Sequence, residues 1–121
     1  MNDLGSILFW DESHPLSTFH PSPILLDGRT YPTVEHAYQA AKFDQHSSIF
    51  ELVANAPNPS DAKRLAREHK HLRHSNWADI KEHIMYVATM AKFTQHPNLR
   101  AFLFATGKRK LIENSSTSEY Q

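Results

Sequence analysis

Residues 31–43 read Tyr-Pro-Thr-Val-Glu-His-Ala-Tyr-Gln-Ala-Ala-Lys-Phe, and the hydrophobic period of the chain changes inside this stretch. Just before it, Ile24-Leu25-Leu26, Asp27-Gly28 and Arg29-Thr30-Tyr31 form a hairpin signal, because Asp-Gly supplies the two φ > 0 positions of a type I′ turn. After Pro32, Thr33 stands where an N-cap is needed, and Val34, Ala37, Tyr38 and Ala41 recur at the spacing of one buried helix face. A hairpin that runs straight into a helix predicts an α+β fold.

Working outward, Ser6–Trp10 reads as a short buried strand, and residues 14–23, with three prolines, as an ordered loop. Ile49-Phe50-Leu52-Val53 predicts a second helix, broken at Ala56-Pro57-Asn58-Pro59. Asn58 then caps a third helix with Pro59 in its first turn and a narrow stripe of Ala62, Leu65 and Ala66. Asn76 is expected to cap the longest helix, with Trp77, Ile80, Ile84, Val87 and Ala91 as its inward stripe. Pro97 opens a last helix with Leu99, Phe102 and Leu103 inward, ended by Thr106-Gly107, and Leu111-Ile112 suggests a closing strand. The reading is a mostly helical single α+β domain over residues 1–121 with a small β-hairpin, its residues 113–121 a frayed tail.

At 121 residues the chain is one domain's length, and 40% hydrophobic content suffices for a core. Its 13 basic and 13 acidic side chains cancel, so no net field draws bulk nucleic acid or an anionic membrane. There is no apolar run of the ~20 residues that a membrane span needs, and the N-terminus lacks a basic region followed by an apolar stretch. Zero cysteines exclude disulfides and thiolate chemistry. The expected compartment is the cytoplasm, and no membrane partner is expected.

The richest polar set is Glu35, Gln39 and Lys42, at i, i+4 and i+7 on one helix face. Carboxylate, amide and amine together suit binding and protonation of a polar substrate; spacing alone equally describes a solvated face. His36 follows Glu35 but points about 100° around the helix, so the two form no dyad. The nine histidines, above all His69, His71 and His74, invite a metal. Their HxH lies at a helix end with no acid at ligand spacing, so solvated histidines near a helix C-terminus are the preferred reading and no metal is expected. Lys63, Arg64, Arg67, Lys70 and Arg73 form a basic cluster, read as a solvated face or as a phosphate-binding rim. Trp77 is either core or a stacking platform for a flat base. No Gly-rich phosphate loop, G-x-S-x-G or H-E-x-x-H occurs.

The stretch Tyr31–Phe43 also resembles the signature helix of the YbiA/NADAR family of N-glycosidases. Other segments resemble family motifs in the same order: Leu16-Ser17-Thr18-Phe19 its L-S-N-F loop, with Thr18 for Asn, and Ala62-Lys63-Arg64-Leu65 its A-K-x-L helix start. Leu72-Arg73, Trp77 and Ile80-Lys81 resemble its R…W…K segment, Lys92-Phe93-Thr94-Gln95 its K-F-x-Q, and Leu99 to Glu113 its L…A-T-G…L-x-E. The resemblance covers about residues 9–113.

What it implies is a cofactor-free YbiA-like α+β enzyme that cleaves a C–N bond between ribose and a base or amine. The implied partner is a phosphorylated ribosyl conjugate: a ribosylaminopyrimidine phosphate of riboflavin synthesis, or ADP-ribosylated guanine. Nucleic acid enters only if the substrate is a modified base within DNA. Glu35 and Glu113 would be the carboxylates that stabilise the oxocarbenium-like ribose or activate water. Lys42 would be the amine at the ribose, as donor or as the nucleophile of a Schiff base. Phe19, Tyr38, Gln39, Arg73, Trp77 and Lys92 would bind substrate, with Trp77 against the base and Arg73 and Lys92 at phosphate. Past Glu113, where relatives carry an Asp and then Trp-Gly, this sequence has Ser118 and its last residue, Gln121. A pocket short of one acid and a closing helix is expected either to turn over without them or to act as a binding module, and a homodimer would cover the bare face.

Overall fold

The computed structural model describes residues 14–106. Within them lie strands β1 (Ile24–Leu26) and β2 (Arg29–Tyr31) and helices α1 (Val34–Ala40), α2 (Ser48–Ala54), α3 (Pro59–Glu68), α4 (Trp77–Gln95) and α5 (Pro97–Thr106), with a 3₁₀ turn at Lys70–Leu72. The expected strands at Ser6–Trp10 and Leu111-Ile112, the stop at Gly107, and Glu113 lie outside the described residues.

The hairpin is the one its turn chemistry demands. Asp27 and Gly28 have φ of 51° and 78°, and the antiparallel register pairs Ile24 with Tyr31 and Leu26 with Arg29. The outer edge of β1 is paired by a side chain: the Gln95 amide accepts from Leu25 N at 2.8 Å and donates to Leu25 O at 2.9 Å. That reciprocal pair stands in for a third strand and ties the hairpin to the end of α4.

Helix α1 is the centre of the molecule. It packs against α2, α3 and α4, and all seven of its residues are buried. A seven-residue helix has little stability of its own, so these contacts and its cap hold it. The Thr33 hydroxyl accepts from His36 N at 3.0 Å and donates to His36 Nδ1 at 2.9 Å, while His36 Nε2 donates to Ala56 O at 3.0 Å. This fixes the tautomer, and burial lowers the pKa of His36, keeping the ring neutral. Ser47 caps α2 by accepting from Phe50 N, and Asn58 caps α3 ahead of Pro59, as its sequence predicts.

Two expectations need correction. Asn76 occupies the N-cap position of α4, but its side chain makes no capping bond. The inward side of α4 keeps Trp77, Ile80, Ile84 and Ala91 but is broader than the stripe predicted and leaves Val87 out. Met85, Ala88, Ala91 and Phe93 are buried with Trp77, Ile80 and Ile84 are partly covered, and Val87 is 37% exposed. The helix turns different faces to α1 and to the smaller cluster of Leu16, Phe93, Leu99 and Leu103, so no single stripe describes it.

Candidate active site

Glu35 opens α1 and is 0% exposed. Its oxygens are held separately: Oε1 accepts from the Thr18 hydroxyl at 2.7 Å and Oε2 from Gln39 Nε2 at 2.6 Å. Its backbone N–H donates to Thr18 O at 3.0 Å, so Thr18 clamps both backbone and side chain. The solvated-face alternative therefore fails for Glu35 and Gln39, which are both buried, whereas Lys42 is half-buried just past the end of α1. A carboxylate taken out of water needs such donors, and the i, i+4 spacing supplies one from the same helix.

Gln39, 3% exposed, borders a cleft of about 430 Å³ between α1, α3 and the first turns of α4. Tyr38, Lys42 and Trp77 share its wall. The Tyr38 and Trp77 rings meet edge to face with centroids 5.2 Å apart, and Lys42 Nζ lies 5.8 Å and 5.9 Å from the two ring centres. The aromatic faces hold this ammonium by cation–π attraction. Burial pushes the Lys42 pKa below its ordinary value; Glu35 opposes that shift, and the neighbouring charges of Arg73, Lys63 and Lys81 add to it. Burial and the Glu35 charge raise the Tyr38 phenol to about 12, so it stays protonated.

The mouth of the cleft is strongly cationic. Lys63 and Arg67 on α3, Lys70 on the 3₁₀ turn, Arg73, and Lys81 on α4 join Lys42 around it, with Ala66 and Ala78 leaving room. Arg64 of the same basic cluster points elsewhere and pairs with Asp61 and Glu68. Among the described residues none of the six lining cations forms an ion pair. A chain with zero net charge thus concentrates unpaired positive charge at one opening, which suits a phosphorylated ligand.

The structure brings together Tyr38, Gln39, Lys42, Arg73 and Trp77, with Glu35 directly behind Gln39. It sets two other candidate residues apart. Lys92 is 1% exposed and donates from Nζ to Ser17 O at 2.8 Å, away from the cleft lining. Phe19 lines a separate cavity of about 410 Å³ with Pro21, His36 and Pro57. Of the basic cluster that the sequence offers as a solvated face or a rim, Lys63, Arg67 and Lys70 join Arg73 at the cleft; Thr18 as a partner of Glu35, and Lys81 at the rim, are added by the structure. The signal for the rim was present, as Lys63, Arg67 and Lys70 follow i, i+4, i+7 spacing; Thr18 meets Glu35 across 17 residues and had none. Among the described residues no group of three or more His, Asp or Glu side chains is arranged to hold a metal, and His69 and His71 stack ring on ring. No helix there is long and apolar enough to cross a membrane.

The fold is a mostly helical α+β domain whose cleft combines cationic side chains, an aromatic wall and a buried carboxylate behind an amide. The chain belongs to the NADAR family, whose domain model matches residues 8–120. It is 38% identical over 110 residues to N-glycosidase YbiA of Escherichia coli (strain K12), covering 91% of this chain and 68% of that protein. It is also 38% identical over 106 residues to riboflavin biosynthesis protein VVA0006 of Vibrio vulnificus (strain YJ016), covering 87% of this chain and 29% of that one. The NMR structure of E. coli YbiA superposes with a TM-score of 0.71 at 39% identity, over 81% of this chain. The chain spans 58% of that solved protein.

Proposed function

We propose that this chain is an N-glycosidase that hydrolyses the C–N bond between ribose and a base or amine in a phosphorylated ribosyl conjugate. One observation carries the reading: the Lys42 amine, within about 6 Å of the Tyr38 and Trp77 ring centres, shares a cleft with cations that form no ion pair among the described residues. Phosphate engages the rim cations, the base lies along Trp77 and Tyr38, and the ribose carbon meets Lys42 and Gln39. The C–N electron pair leaves with the nitrogen, which takes up a proton, and water oxygen ends on the ribose carbon. Positive charge building on that carbon is stabilised by the Glu35 carboxylate behind Gln39. Lys42 has two available roles, hydrogen bonding to the sugar or attack on its opened aldehyde carbon; a lowered pKa favours attack, because only the neutral amine is a nucleophile.

The relatives named N-glycosidase YbiA and riboflavin biosynthesis protein support a ribosylaminopyrimidine phosphate as substrate, with ADP-ribosylated guanine as the second candidate of the same chemistry. The test incubates the protein with each and follows the released ribose product by mass spectrometry. Release that is lost in Glu35→Gln supports the assignment. Saturable binding without release from either compound replaces it with a binding module for ribosyl phosphates.

A further inference from the structure

Gln39 has its amide orientation dictated from one side. Nε2 sits 2.6 Å from Glu35 Oε2, and the reverse orientation would set a carbonyl oxygen against a carboxylate, two acceptors with no proton between them. Oε1 must then point the other way. It is buried and has no hydrogen-bond partner among the described residues, although its residue borders the cleft. Buried acceptors are nearly always paired, so an orphaned carbonyl beside a ligand cleft marks a place for a ligand's donor. The lining cations leave it alone and are spread around the mouth.

We propose that Gln39 Oε1 accepts the hydrogen bond of the ribose 2-hydroxyl and makes the cleft select ribosyl over 2-deoxyribosyl ligands. The assignment rests on the function proposed above and adds the sugar specificity of the same site. The sugar, rather than the base, is the donor because Gln39 is bonded to Glu35 and lines the same cleft as Lys42, the groups read as acting on the ribose carbon; the flat Tyr38–Trp77 wall is left for the base. The 2-hydroxyl is next to that carbon. As positive charge builds there the hydroxyl becomes a stronger donor, and a preset acceptor gains strength with it.

Calorimetric titration with ribose 5-phosphate and with 2-deoxyribose 5-phosphate tests this without reference to turnover. The intact protein is expected to prefer ribose 5-phosphate by about tenfold, the worth of one hydrogen bond to a buried acceptor. Gln39→Met, with its fold checked by circular dichroism, is expected to abolish the preference by weakening ribose 5-phosphate alone. The ¹³C shift of the Gln39 side-chain carbonyl in the intact protein gives a second readout, moving at saturation with the ribose compound and not with its deoxy analogue. Equal affinity for the two sugars overturns the inference and leaves the phosphate-binding cleft standing. A preference that survives in Gln39→Met, or an unmoved carbonyl signal, overturns the assignment to this residue. Binding of neither sugar phosphate overturns the function proposed above together with it.

Discussion

Lys92 Nζ lies 2.8 Å from the carbonyl oxygen of Ser17, 75 residues earlier in the chain. The bond pins the loop that carries Thr18, and Thr18 in turn holds Glu35 through its hydroxyl and its carbonyl. A buried lysine of α4 thereby positions the carboxylate at the start of α1 without reaching the cleft.

This lysine should leave a signature in the pH dependence of stability. Burial lowers its pKa to about 7, whereas the unfolded chain keeps the proton to about pH 10.5. Between these values the unfolded state binds more protons, so stability rises with pH. Urea titrations from pH 6 to 10 are expected to show that rise, and Lys92→Met is expected to flatten it.

Thr18 supplies the donor for Glu35 Oε1. Thr18→Val leaves that oxygen short of a partner in a buried setting, at an expected cost of about 1–3 kcal/mol. Thr18→Ser keeps the hydroxyl and should retain most of the stability. Chemical denaturation of the two variants, side by side, separates the lost bond from the lost methyl group.

Lys42 is expected to behave as a reactive amine. Since burial lowers its pKa, the neutral form appears at lower pH than for an exposed lysine, and catalysis that depends on it rises with pH through that value. Lys42→Arg keeps the charge but no nucleophile, and a loss of at least about 100-fold in rate is expected. Borohydride reduction in the presence of ribose 5-phosphate should add the sugar phosphate less one oxygen, since the Schiff base loses water and then gains two hydrogens, at this position of the intact chain and not in the variant.

The rim cations can be removed without touching the core. Lys63 and Arg67 are exposed and unpaired among the described residues, so the double change to Ala should leave the melting temperature within a few degrees. Binding of ribose 5-phosphate should weaken by about tenfold or more, with a shallower dependence on salt. Arg64→Ala is the matched control, since Arg64 is held by Asp61 and Glu68.

Local rules made much of the fold legible. The Asp27-Gly28 turn, the Thr33 and Asn58 cap positions and the helical spacing after Pro32 are each decided within a few residues, where backbone sterics and short-range hydrogen bonds act. Where the deciding contact was distant, the reading failed. Val87 falls off the α4 stripe, and Met85, Ala88 and Phe93 join it, because α4 serves two separate clusters; the empty cap at Asn76 has instead a local cause, φ −96° and ψ 19°, which a capping residue does not adopt.

By itself the sequence determined that a hairpin leads into a helix bearing Glu35 and Gln39, with Lys42 just past its end, and that Lys63, Arg67 and Lys70 belong to one basic cluster. Tertiary structure alone decided what those side chains are. Packing α1 on every side turned Glu35 and Gln39 from surface groups into a buried pair with one orphaned oxygen. Folding α3 and α4 around α1 gathered the scattered cations at one opening, and it withdrew Lys92 to a structural post at Ser17. Burial and convergence are properties of contacts between segments far apart in the chain, and spacing along a helix sets a side chain's direction without setting what it meets.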